Sequence, residues 1–345
     1  MMATEFASDS AQPPKAWWWA ACATAALSLA VFPQMMDISI QLDLSILFVF
    51  MILALSMGFL WGYVGILSFG QTIFFGLGGY SYSIIAMNTG TTWPAFAAAL
   101  AIPMLFSLLL GYFMIYGRIS DIYLSVITLA VTLIFEKTIR STSGPEYVIG
   151  SVRLNGQNGI PGVPSLTLPF SGGVALSIEG VFYLSAGLVL LLYIGLRLLL
   201  TTKFGRVLVG IRENERRMEL LGHDTRRYKL LAFVLAAGLA SISGVLYATW
   251  GNFVAPEMFN LNQAALLVIW VIVGGRSTLI GPLVGTAFIQ YLSTWLGTAG
   301  MGQVTVVLGI VLITFVLLFP RGLLPTLGDL FTFANRSLRR KGGTA

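Results

Sequence analysis

The sequence predicts an all-α integral membrane protein of about ten transmembrane helices, with both termini in the cytoplasm. Three observations carry that prediction. Apolar residues make up 57% of the 345 residues and charged residues only 10%, whereas a soluble domain carries roughly 25% charge. Apolar runs close to the ~20 residues that a helix needs to cross a bilayer recur along the whole chain. The Lys and Arg residues gather between these runs, as basic loops that resist translocation do.

Residues 1–15 are polar, contain Pro13, Pro14 and Lys15, and read as a cytoplasmic tail. The first apolar run, 16–32, opens on Trp17, Trp18 and Trp19, which suit the interface. Its single, late basic residue argues against a cleavable signal peptide. Nine further spans are predicted at 44–66, 72–87, 93–116, 122–140, 181–200, 230–250, 264–273, 279–296 and 304–319, and a basic tail at 320–345. The run at 264–273 is too short to cross alone. Either it begins nearer Phe259, or Gly274 and Gly275 form a break inside the membrane. The transmembrane domain is therefore drawn over 16–319.

Charge tests the count. With ten spans starting inside, 17 of the 20 Lys and Arg residues fall on the cytoplasmic side, and only Lys137, Arg140 and Arg153 fall outside. The net charge of +6 is thus a matter of orientation in the membrane, and no nucleic-acid partner is expected. The long outer loop, 141–179, holds seven Gly and four Pro and reads as turns.

Eight basic residues lie in the cytoplasmic loop 203–229. Val207, Ile211, Met218 and Leu221 fall at helical spacing, widened by Leu208 and Leu220 and interrupted by Asn214. Arg212, Glu213, Glu215, Arg216 and Glu219 fill the other face, and Glu213 to Arg217 is an i,i+4 pair. Gly222 is placed to end the helix, and Asp224 or Thr225 to cap the next. A basic loop that fixes topology and touches anionic lipid is one reading. An amphipathic helix of sixteen residues with mixed charge exceeds that need. The segment from Arg206 to Leu221 therefore reads as a docking helix for a cytoplasmic partner.

Two Gly-rich stretches interrupt the spans. One, at 67–80, holds Gln71, Thr72, Gly76 and Gly79. The other, at 273–285, holds Gly274, Gly275, Gly281 and Gly285, with Pro282. Interrupted spans in both halves point to a transport path, and tight helix packing is the alternative. Spans two to five and seven to ten insert with opposite sense, which is compatible with an inverted repeat. No phosphate-binding Gly-rich loop, metal-ligand cluster or GxSxG is present in the sequence. His223 reads as a loop residue, and Cys22 has no disulfide partner. Glu136, beside Lys137 and Arg140, reads as an interfacial ion pair.

Four stretches together resemble the membrane-spanning permease of branched-chain amino-acid ABC importers, of the LivM type. They are GYVGILSFGQTIFFGLGGY at 62–80, YLSVITLAVTLIFE at 123–136, the segment 205–248 beginning GRVLVGIRENERRMELLG, and IWVIVGGRSTLIGPLVGTAF at 269–288, followed by FPRGLL. The resemblance runs over about 55–324. It implies a transport subunit in a bacterial-type cytoplasmic membrane that binds no cofactor of its own. It also implies a second, related permease in a heterodimer, two cytoplasmic ATPase subunits that use ATP, and a periplasmic solute-binding protein. Glu219 and Gly222 match the family's coupling motif, within a coupling set of Arg206, Ile211, Glu213, Met218, Glu219, Leu221 and Gly222. Urea and short-amide importers have similar permeases, so the solute stays open between these classes. A stand-alone channel or ion-coupled carrier would need polar groups that are sparse in these spans.

Overall fold

The computed structural model describes residues 16–31, 37–167, 174–298 and scattered positions between 306 and 326. The tail 1–15, most of the predicted span 304–319 and most of the tail 320–345 lie outside the described residues.

The described chain is helical. Its helices are α1 (Ala16–Val31), α2 (Ile38–Phe59), α3 (Gln71–Thr89), α4 (Thr92–Tyr116), α5 (Asp121–Ser141), α6 (Ile178–Thr201), α7 (Lys203–Glu213), α8 (Glu215–Leu220), α9 (Thr225–Gly251), α10 (Leu261–Gly274) and α11 (Ile280–Thr298). A π-helical turn, Leu60–Val64, continues α2, and Gly65 stops it with a φ of 89°. Among the described residues, five helices are long and apolar enough to cross a membrane: α2 with its π turn, α4, α5, α6 and α9. Helix α3 is less apolar, yet Gln71, Thr72, Tyr80, Tyr82 and Ser83 are all buried. Surrounded by protein, α3 meets other helices instead of lipid, so its polar groups are tolerated.

The core forms where α3, α4 and α9 pack on one another and α2 packs on α6, α9 and α11. Small residues set the distances. A Cβ on Gly244 of α9 would run into the Phe75 carbonyl oxygen of α3, and one on Gly78 would lie 2.6 Å from the Ser241 carbonyl oxygen. Backbones come this close only where both helices carry small residues. Buried hydroxyls bond across the same contacts, as Ser241 does to the Ala99 carbonyl (2.5 Å) and Ser243 to the Val49 carbonyl (2.7 Å).

Contacts between helix ends define two faces. On one, Arg212 donates to the Gly62 carbonyl and Lys229 lies 3.7 Å from Asp121. This basic face gathers the π turn, the α4–α5 turn, α7, α8 and the α10–α11 turn. On the opposite face, the Trp250 indole donates to Leu42 O (3.0 Å), and Asn88 donates to Ile149 O (2.9 Å). Helix α2 runs toward the basic face and α9 away from it.

Two expectations are corrected. The predicted sixteen-residue docking helix is two helices, α7 and α8, because Asn214 is extended (φ −161°, ψ 98°). The outer loop is more than turns. It carries β1 (Val148–Ile149) against β2 (Val152–Arg153), and β3 (Ile160–Pro161) against β4 (Phe253–Val254) beyond α9, both antiparallel. At the short span, α10 starts at Leu261, preceded by a 3-10 turn Pro256–Phe259, and Gly275 ends it with φ 105°. Its 14 residues rise about 21 Å, less than the ~30 Å of a bilayer core.

Candidate functional site

The coupling set folds into an elbow on the basic face. Thr202 caps α7, accepting from Gly205 N at 3.4 Å. Val207, Leu208 and Ile211 are buried, and α7 packs on α6, the π turn and α9. The apolar stripe of α7 therefore meets this chain's own helices, not a partner. Arg212 extends along the same face to the Gly62 carbonyl.

Asn214 both ends α7 and starts α8, because its Oδ1 accepts from Arg217 N (2.9 Å). Local side-chain capping outcompetes helix continuation there. The break separates Glu213 from Arg217, and the predicted i,i+4 pair does not form. Lys229 takes the carboxylates instead, Glu215 at 2.6 Å and Asp121 at 3.7 Å. Met218 folds α8 back on α7, since a Cβ on Gly210 would be 2.6 Å from its sulfur.

No residue of α8 is buried. Leu220 is 83% exposed and Leu221 67% exposed. Gly222 takes φ 86°, and the N–H groups of Gly222 and His223 close the helix on Glu219 O (2.9 Å) and Met218 O (3.2 Å). Glu219 accepts from the Thr225 hydroxyl at 3.2 Å, and Asp224, not Thr225, caps α9 through Arg227 N. Arg206 and Glu213 are exposed. The half-buried His223 stands edge-on to the Tyr228 ring.

The glycine residues form two separate seams. On α3, Gly76 faces the Phe259 ring, while a Cβ on Gly79 would lie 2.7 Å from the Met258 methyl and 3.1 Å from Gly244 O. Thr72 bonds to Phe69 O (3.1 Å), and Gln71 accepts from Ser56 (3.3 Å) while its buried Nε2 has no partner among the described residues. In the α10–α11 hairpin, Gly274 abuts Gly281 and Gly285, and Gly281 abuts the Gly275 carbonyl. These are the two Gly-rich stretches read from the sequence, and in the structure each packs as its own seam, one on α3 and one in the α10–α11 hairpin.

The π turn links elbow and hairpin. Gly62 receives Arg212 on its carbonyl, and a Cβ there would strike the Arg276 carbonyl. The Arg276 guanidinium stands 5.3 Å over the Trp61 ring. Short π-helical turns inside helices recur at functional positions. No sequence signal marks this turn, because its residues continue the apolar run of α2. On the opposite face, Arg140 bridges Glu136 (3.0 Å) and Glu257 (3.1 Å), tying α5 to the turn before α10. Glu136 is thus ion-paired with Arg140 as expected, while the second partner of Arg140, Glu257, has no sign in the sequence.

Residues 42–318 match the family described as "Branched-chain amino acid transport system / permease component". The high-affinity branched-chain amino acid transport system permease protein LivM of Escherichia coli K12 is 27% identical over 300 residues, which cover 80% of this chain and 68% of that protein. The inner membrane ABC transporter permease protein YjfF of the same organism is 29% identical over 167 residues, 46% of this chain and 49% of YjfF. The autoinducer 2 import system permease protein LsrC of Enterobacter sp. 638 is 28% identical over 216 residues, 61% of this chain and 58% of LsrC. No solved structure matches. With its apolar helices and this match over most of its length, the chain belongs to the branched-chain amino acid transport permease family and is a multi-pass membrane protein of the ABC-importer permease type.

Proposed function

We propose that this chain is one permease of a heterodimeric ABC importer in a bacterial cytoplasmic membrane, carrying branched-chain or related amino acids. In this reading it spans the membrane ten times with the basic face in the cytoplasm. A binding protein delivers solute to the opposite face, and two separate ATPase subunits supply the energy. The name of LivM, matched over 80% of this chain, supports the substrate class; the name of LsrC points to other solutes among the relatives.

One observation carries the coupling. Leu220 and Leu221 project from the end of a short helix that is tied to the protein by Met218 against Gly210 and by Glu215 on Lys229. Large exposed apolar side chains on a charged surface suit a partner's groove. A push on α8 would pass through Met218 to α7, through Arg212 to the π turn, and from Gly62 to Arg276 at the α10–α11 hairpin. The glycine seams then allow helices to shift as close-packed bodies.

The test is reconstitution with the sister permease, ATPases and binding protein in proteoliposomes. ATP-dependent uptake of radiolabelled leucine, without uptake of urea, is expected. Urea uptake without leucine uptake would reassign the solute. Leucine uptake independent of ATP would end the importer reading in favour of a carrier or channel.

A further inference from the structure

On the face opposite the elbow, the outer end of α5 carries a contact of three charges. Arg140 donates through Nε to Glu136 (3.0 Å) and through a terminal nitrogen to Glu257 (3.1 Å). Glu136 lies one turn back on α5 and is 8% exposed, so it holds the guanidinium from inside the protein. The Glu257 side chain is 58% exposed and reaches in from the turn Pro256–Phe259. A tie between α5 and that turn needs only Arg140 and Glu257. The buried Glu136 adds something else: Arg140 stays paired when Glu257 lets go. An ion left without its partner is what makes such contacts costly to open.

A second observation stands beside this contact. The Tyr80 hydroxyl on α3 is buried, in a residue 3% exposed, and has no hydrogen-bond partner among the described residues. The charges of Glu257 and Arg140 both reach it. A buried donor without an acceptor is costly, and a carboxylate arriving there supplies one. The turn also meets a glycine seam. Met258 and Phe259, which follow Glu257, stand against Gly79 and Gly76 so closely that neither glycine has room for a Cβ. Movement of Glu257 therefore acts on the packing of α3.

We propose that the Arg140–Glu257 pair receives the charged backbone of a free amino acid. The solute's carboxylate takes the guanidinium, its ammonium takes the Glu257 carboxylate, and one ion pair becomes two. This deepens the importer reading and rests on it, since it needs solute delivered to this face. No charge is left unpaired by the exchange, and guanidinium and carboxylate match in geometry. A carboxylic acid without the ammonium would leave Glu257 unpaired. An amine without the carboxylate would offer nothing to Arg140 or to the Tyr80 hydroxyl. Urea carries no charge for either partner. A site built around polar partners rejects an analogue that lacks one of them.

Binding of radiolabelled leucine to the full chain paired with its sister permease in nanodiscs tests it. Leucine is expected to bind and to be displaced by glycine, which has the same charged backbone, but not by excess 4-methylpentanoate, isoamylamine or urea. Glu257→Gln keeps the size and still accepts from Arg140, and is expected to weaken leucine binding about tenfold through the lost charge. Glu179→Gln, an exposed carboxylate at the start of α6, is the control and should change nothing. No leucine binding by the wild type, unchanged binding in Glu257→Gln, an equal loss in Glu179→Gln, or displacement by 4-methylpentanoate as effective as by glycine would overturn the proposal. So would a Glu257→Gln variant that unfolds at a lower temperature yet binds leucine normally, the result of a purely structural tie. ATP-driven leucine uptake by the wild-type complex keeps the two readings apart. Normal uptake beside any of these results overturns the proposal alone, whereas no uptake ends the importer reading for this solute.

Discussion

The pair Leu220 and Leu221 offers a quantitative test of docking. Fully burying a leucine side chain is worth about 1.5–3 kcal/mol. With 83% and 67% of these residues exposed, a groove that covers them would gain about 2–4 kcal/mol from the two together. At about 1.4 kcal/mol per tenfold, L220S/L221S should weaken ATPase binding by roughly 30- to 1000-fold. The permease itself should be unaffected, because neither side chain is packed within it, and exposed substitutions usually stay within about 0.5 kcal/mol. The assay is ATPase binding to the permease in nanodiscs, with thermal unfolding alongside. Lys203→Ala, an exposed change at the start of α7 outside the coupling set, is the control and should shift binding only slightly. An ATPase affinity within twofold of wild type in L220S/L221S, with normal unfolding, would refute the reasoning.

Other perturbations follow from the same contacts. Gly244→Ala and Gly285→Ala drive a methyl group into the carbonyl oxygens of Phe75 and Trp270 and should each cost about 1–3 kcal/mol, seen as a lower unfolding temperature, while Gly187→Ala, with open space around it, should not. Gly76→Leu, Gly79→Leu and Gly281→Leu should abolish uptake; near-normal uptake at normal abundance in all three would remove the seams from the transport mechanism. Gly222→Pro forbids the φ of 86° and removes the N–H bonded to Glu219 O, so it should uncouple ATP hydrolysis from uptake, whereas Gly222→Ala, strained by about 1 kcal/mol with no steric clash, should do so only in part.

The long apolar helices were legible because lipid imposes length and composition on a span directly. The spans read at 93–116 and 122–140 return as Thr92–Tyr116 and Asp121–Ser141. Gly222 was legible as a helix end, since few residues other than glycine take its backbone angles easily. The elbow was harder. The amphipathy of 206–221 reveals an apolar stripe but not what covers it. Val207, Leu208 and Ile211 turned out to face the chain's own helices, which left the exposed contact to Leu220 and Leu221. Asn214 was seen only as an interruption, although its amide begins a new helix. Long-range pairings such as β3 with β4, Arg140 with Glu257, and Arg212 with Gly62 leave no periodic trace in sequence.

Orientation of the elbow is the point on which coupling depends, and one labelling experiment reaches it. Cys22 is the sole cysteine, so Cys22→Ser with Arg217→Cys gives a single thiol on exposed α8. An impermeant maleimide should label that thiol in inside-out vesicles and not in whole cells, and bound ATPase should protect it. Labelling from outside whole cells would put the elbow on the wrong side of the membrane and contradict the account.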